Sequence, residues 1–294
     1  MKSVRFLALA AGAALLTSAN ALRADDSSPA TQIKSALGAL ANNDVKTIIE
    51  TMPKSYRQDA EDIFKEAVKQ IDEEVWNKGF AAAKKMVKVL KNKKAMALEA
   101  IANFPLPFQP DDTGKIYDGI IGFLEAPIDS PMADHSSAKA LKLEDWAADV
   151  GGKALKAVTS IDVKLPPKNQ TIGEQMKSLA NAKVDVISSD ANSATVKISM
   201  AGQDAPPQEV KLKKVDGVWV SADLAEKWSE GVAKAKAEMA KEKFSAEDKK
   251  KSLKAIATFE EALGIVDGAK NGQEFMAALT EAGEKLKALR GGDG

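Results

Sequence analysis

The chain has 294 residues, with 42 Lys and Arg against 42 Asp and Glu, a single His and no Cys. A formal net charge of zero supplies no broad basic face for reading phosphates, so a nucleic-acid binder is disfavoured. Without cysteine there are no disulfides, no lipobox anchor and no thiolate metal sites, and the chain must be held by its own core.

The N-terminus has three parts. Met1-Lys2-Ser3-Val4-Arg5 is a short basic start, residues 6–16 are apolar, and Ser18-Ala19-Asn20-Ala21 are small. That is the plan of a signal peptide over residues 1–24, with cleavage after Ala21 or Ala24. An apolar run of about eleven residues is too short to span a bilayer. The expectation is an exported protein, periplasmic or extracellular, with no stable membrane insertion.

Scarce aromatics and abundant Ala and Lys favour amphipathic helices over a sandwich. The spacing of Ile33, Leu37 and Leu40 predicts a helix over 31–41, and Val45, Ile48 and Ile49 predict another over 45–52, stopped by Pro53. Ile63, Phe64, Val68, Ile71 and Val75 predict a third over 59–76, with a bend at Gly79 and a fourth helix beyond it. A short helix follows from 95, broken by Pro105, Pro107 and Pro110. Residues 116–124 read as helix, 127–137 as a loop, and 141–159 as a helix interrupted or bent at Gly151-Gly152.

After about residue 160 the apolar period changes from 3.6 toward 2. Strands are expected over 183–188, 193–200 and 208–215, then at Val218-Trp219-Val220. Asp216-Gly217 between the last two is a type I′ hairpin signal, because both residues tolerate positive φ. Helix returns over 223–243. Ser245 with Asp248 resembles a capping box, and Asn271 with Glu274 caps a last helix carrying Phe275, Leu279 and Leu286. The fold class is therefore α+β: a helix-rich N-terminal half, a small antiparallel β-meander of three to four strands, and C-terminal helices. The segments are 25–159, 160–222 and 223–290, and 25–290 is short enough for one domain.

Few residues carry chemistry. His135 sits beside Asp134, Ser136 and Ser137, but adjacent loop residues rarely converge as a triad, so it reads as a solvated loop histidine. Asp111-Asp112 and Asp72-Glu73-Glu74 lack the ligand ladder of a calcium loop and read as solvated surface. Gly114, Gly119 and Gly122 lack the lysine and spacing of a phosphate loop. The lysine runs 91–94 and 249–251 read as solvated helix ends. Trp76 and Trp228 fall on apolar helical stripes, as core residues do. No catalytic residue, cofactor or metal is expected.

Two segments carry a resemblance. Ile33-Lys34-Ser35-Ala36-Leu37-Gly38-Ala39-Leu40-Ala41-Asn42-Asn43-Asp44-Val45 resembles the opening helices of secreted NTF2-like (cystatin-like, SnoaL-type) modules. Lys213-Lys214-Val215-Asp216-Gly217-Val218-Trp219-Val220, closing the stretch 184–220, resembles their final hairpin. The resemblance covers about residues 31–52 and 183–221, and a long helical insert separates the two. It implies a curved antiparallel sheet wrapped on helices around a cone-shaped pocket, lined here by Val196, Ile198, Leu212 and Trp219. The family's enzymes place Asp and His in that pocket; no position here matches, so none is carried over.

The expected function is that of an exported, soluble, non-enzymatic protein that binds or scaffolds in the cell envelope. It would act through a protein partner or a second copy of itself. The alternative is a small-molecule-binding or hydrolytic NTF2-like pocket protein. A helical membrane-surface binder ranks last, because the helices lack an arginine-rich polar face.

Overall fold

The computed structural model describes residues 28–102, 110–164, 169–200, 206–241 and 244–291. The expected signal peptide, Pro105 and Pro107 lie outside the described residues. The hydroxyl of Ser28 accepts the Thr31 N–H at 3.2 Å and starts α1 (Pro29–Ala41). Asn43, at φ 57°, turns the chain, and Asp44 caps α2 (Val45–Glu50) through the Thr47 N–H. Next come α3 (Lys54–Gln70), α4 (Glu73–Asn92) and α5 (Lys94–Ala102). The helix expected over 59–76 is thus two, and the break falls before Asp72 instead of at Gly79. Asp72 accepts the N–H groups of Glu74 and Val75, which makes it the N-cap of α4. Gly79 lies inside that helix with open space where a side chain would be.

α6 (Pro110–Ile128) runs through Pro127, which sits in its last turn. The loop expected over 127–137 is therefore mostly structured. A 3-10 turn (Pro131–Ala133) follows, then α7 (His135–Ala140) and α8 (Leu143–Thr159). α8 passes Gly151-Gly152 without interruption, and Gly151 gives Val45 room to approach. After α9 (Ile172–Ser178) come β1 (Lys183–Ser189), β2 (Ser193–Ser199), β3 (Gln208–Val215) and β4 (Val218–Ser221). They form one antiparallel sheet in the order β1-β2-β3-β4. The chain closes with α10 (Ala222–Lys241), α11 (Ala246–Gly268) and α12 (Gly272–Gly291). The α+β architecture, the central meander and the C-terminal helices agree with the sequence reading.

Period-2 alternation places one face of the sheet under α1. Val184, Ala194, Val196, Leu212 and Trp219 form a buried cluster with Ile33 of that helix. Gln32, beside Ile33, is 2 % exposed, and its Oε1 accepts the Trp219 N–H at 2.7 Å. This N–H points away from β3, because Lys214 and Trp219 are the non-hydrogen-bonded pair next to the two-residue turn. Gln32 thus closes part of the open edge of β4. Val218 and Val220, on the other face, are buried as well, and α10 packs against β3 and β4.

Two further clusters build the helical half. Phe64, Val68, Trp76, Met132 and Ala138 join α3, α4 and α7, while Val87, Ile121 and Ile128 join α4 to α6. A fourth cluster, including Ala97, Ala262, Val266 and Phe275, docks α11 and α12 on α4 and α5. Both C-terminal caps form as expected: Ser245 with Asp248, and Asn271 with Glu274.

The hairpin turn is type I′, with Asp216 at φ 50° and Gly217 at φ 80°. Its carboxylate does a second job. Pro53 precedes α3 and offers no side-chain cap, and Asp216 Oδ2 accepts the Ser55 N–H at 2.8 Å from 161 positions away. The bonds from Ser55 hold the Asp216 carboxyl below the usual range. A carboxyl whose folded pKa is depressed stabilises the fold above its unfolded pKa of about 3.9, and that contribution is lost as pH falls through the folded value. Asp216→Ala should therefore cost about 1 kcal/mol near neutrality. Urea unfolding should show the gap to wild type narrowing as the pH drops below about 4. Asp216→Asn, which tolerates the same turn, separates loss of charge from backbone strain.

Candidate functional site

A cavity of about 550 Å³ opens between the α1–α2 turn, the C-terminal end of α8 and the start of α9. Local capping builds its walls. Asn43, in the left-handed conformation, presents Oδ1 to the Thr159 hydroxyl at 3.2 Å. Thr171 and Glu174 form a capping box that opens α9. Gly173 lies so close to the Thr159 carbonyl that any side chain there would collide with it. Lys156, Lys177, Asp162 and Glu174 also line the cavity. Two cations and two carboxylates leave the wall balanced in charge. Its hydroxyls and amides suit a small polar molecule, but no nucleophile is paired with a base among its lining residues. A second, shallower cavity of about 350 Å³ separates the end of α3 from the start of α11.

Val196, Ile198, Leu212 and Trp219 do come together, but as core. Val196 is fully buried, and all four pack with Ile33 beneath α1. They line neither cavity. Trp219 points under the helix, and Lys214 lies 5.6 Å from its ring centroid. Trp76 and Trp228 are packing residues as expected. Trp228 stacks on Tyr56 at 4.2 Å and donates to Asp59, which also pairs with Lys236. The environment of Tyr56 pushes its hydroxyl pKa upward, chiefly through burial.

His135 is not solvated. It is 2 % exposed at the start of α7, with Nε2 2.9 Å from the Val68 carbonyl and its ring 5.8 Å from that of Trp76. The sequence placed it in a loop because Pro131 and the polar run after it hide a 3-10 turn and a one-and-a-half-turn helix. Asp134 caps that helix, its carboxylate accepting the Ser137 N–H.

The acidic stretch Asp72-Glu73-Glu74 is likewise engaged. Lys249 of α11 bridges Asp72 and Glu74 at 3.0 Å each. The bonds hold both carboxyls low, through Lys249 first for Asp72 and Lys78 first for Glu74, and they raise the Lys249 pKa. The other basic run is spent in the same way. Lys91 pairs with Glu125, Lys93 donates to the Ala269 carbonyl at the end of α11, and Lys94 pairs with Asp118. These lysines read as solvated ends because their partners lie far along the chain. Among the described residues no group of three or more His, Asp or Glu side chains converges as a metal site. No described helix is long and apolar enough to cross a membrane.

Comparison with protein-family models, curated proteins and solved structures gives no match for the chain.

Proposed function

We propose that this is an exported, soluble, non-enzymatic protein that binds or scaffolds in the cell envelope through the outer face of α6. The observation that carries the reading is a pair of exposed large apolar side chains. Ile120 is 51 % and Phe123 48 % exposed, one helical turn apart, while Ile121 and Ile128 on the inner side are buried. Half-buried Ile116 extends the stripe by another turn. Contiguous exposed apolar surface is a usual mark of a protein-contact site.

Replacing both residues (Ile120→Ser with Phe123→Ser) should leave the unfolding midpoint within about 0.5 kcal/mol of wild type, because neither is in the core. It should also abolish either concentration-dependent mass in light scattering or capture of a partner from envelope extract. A wild-type protein that stays strictly monomeric and captures the same proteins as the variant would sink the reading.

The rival, a small-molecule-binding or hydrolytic NTF2-like pocket protein, draws support from the four-stranded meander roofed by α1 and from the polar cavity at α8 and α9. It ranks second because the apolar residues that should face the ligand are packed against Ile33.

A further inference from the structure

The two edges of the sheet are finished differently. On β4 the open N–H of Trp219 is met by Gln32. β1 has a neighbouring strand on one side only, because the order is β1-β2-β3-β4. Its outward groups follow from the register. Asp190 donates to the Ser193 carbonyl across the β1–β2 turn, and Lys214 of β3 donates to the Asn192 carbonyl. Odd-numbered residues of β2 therefore bond to β1 and even-numbered ones to β3. Lys183 and Asp185 stand opposite Ser199 and Lys197, so they bond inward, and Val184 and Val186 turn their N–H and C=O groups outward. Among the described residues neither valine makes a hydrogen bond outside the β1–β2 ladder. The register breaks between Val186 and Ser188, where Ile187 has no opposite number. Val186 is 43 % and Ile187 52 % exposed.

The charges along this strand decide what the edge accepts. Asp185 stands opposite Lys197, and Lys197 opposite Glu209, so one row across the sheet alternates in sign and ends on Asp185. A further strand continues the row if it places a cation there. Lys183 and Asp185 flank Val184, 2.9 Å apart, with side chains 73 % and 46 % exposed. A second β1, laid antiparallel with Val184 against Val184, sets Lys183 opposite Asp185 of the copy and Asp185 opposite its Lys183. The two valines then exchange hydrogen bonds. The charges fall at the non-hydrogen-bonded positions beside them, where opposed side chains come closest. The adjacent registers that keep the same groups outward set Asp185 against Asp185 or Lys183 against Lys183. One register is thus favoured and its neighbours are opposed by like charge.

We propose that the outer edge of β1 pairs with β1 of a second copy, antiparallel about Val184, so that two four-stranded sheets become one continuous sheet. Self-association then belongs to β1, and the α6 face is left to a different protein.

Light scattering and amide exchange on the intact chain test this. Wild type should form a dimer that strengthens with concentration and weakens with added salt. The Val184 and Val186 amides should gain protection as the dimer forms. Lys183→Glu or Asp185→Lys alone opposes like charges at both symmetry-related sites and should weaken dimerisation by about tenfold or more. Mixed in equal amounts, the two variants present opposite charges at both sites and should dimerise with each other, a recovery that misfolding cannot produce. The Ile120→Ser, Phe123→Ser variant should dimerise like wild type, which separates this contact from the α6 reading. A wild type that stays monomeric at every concentration, single variants that dimerise as wild type does, a mixture that stays monomeric, or a dimer lost with the α6 substitutions overturns the proposal.

Discussion

Trp76→Ala is expected to destabilise the protein by about 3–5 kcal/mol, enough to unfold a marginal domain. Trp76 is 4 % exposed and stands at the centre of the cluster that joins α3, α4 and α7. Its ring lies 5.4 Å from Phe80 and 5.8 Å from His135, and its Nε1 donates to the Met132 carbonyl at 2.9 Å. Alanine would leave a large void and strip a buried carbonyl of its donor, so transfer, cavity and hydrogen-bond losses act together. Trp76→Phe refills part of the volume but not the donor, and should fall between the two. Urea unfolding followed by circular dichroism measures both. A Trp76→Ala midpoint close to wild type would show that this cluster does not hold the helices together.

Gln32→Met should lower stability by about 1–3 kcal/mol, although methionine nearly matches glutamine in shape. The loss arises because the Trp219 N–H on the open side of β4 would be buried with no acceptor. An apolar replacement elsewhere in α1 would not do this. Hydrogen exchange gives a local readout: the Trp219 amide should lose protection far more than amides in the interior of β2. Equal protection in wild type and variant would mean that another group, or water, covers this edge.

The two cases differ in how visible they were in the sequence. Trp76 falls on an apolar helical stripe in the sequence, so its burial could be anticipated. Its bond to Met132 could not, because the 3-10 turn at 131–133 has too little periodicity to be recognised. Gln32 gave no signal at all. It is a polar residue next to Ile33, and its acceptor role depends on an N–H 187 positions away. His135 was misplaced for a related reason: six residues of α7 are too few to show a helical period, so a loop was the natural reading. The acidic and basic runs show few of their partners on their own helices. Their partners, such as Lys249 for Asp72 or Ala269 for Lys93, come from helices packed across the fold.

Local chemistry alone determined most of the succession of helices and strands, the type I′ turn at Asp216-Gly217 and the two C-terminal caps. Each depends on backbone preferences and side-chain bonds within a few residues, which a sequence states directly. Tertiary structure alone decided that His135 is buried with one nitrogen facing Glu73, that Asp216 caps α3, and that the sheet face expected to line a pocket is filled by Ile33. Those outcomes are set by which surfaces exclude water from one another, and residues distant along the chain meet only once the layers have packed.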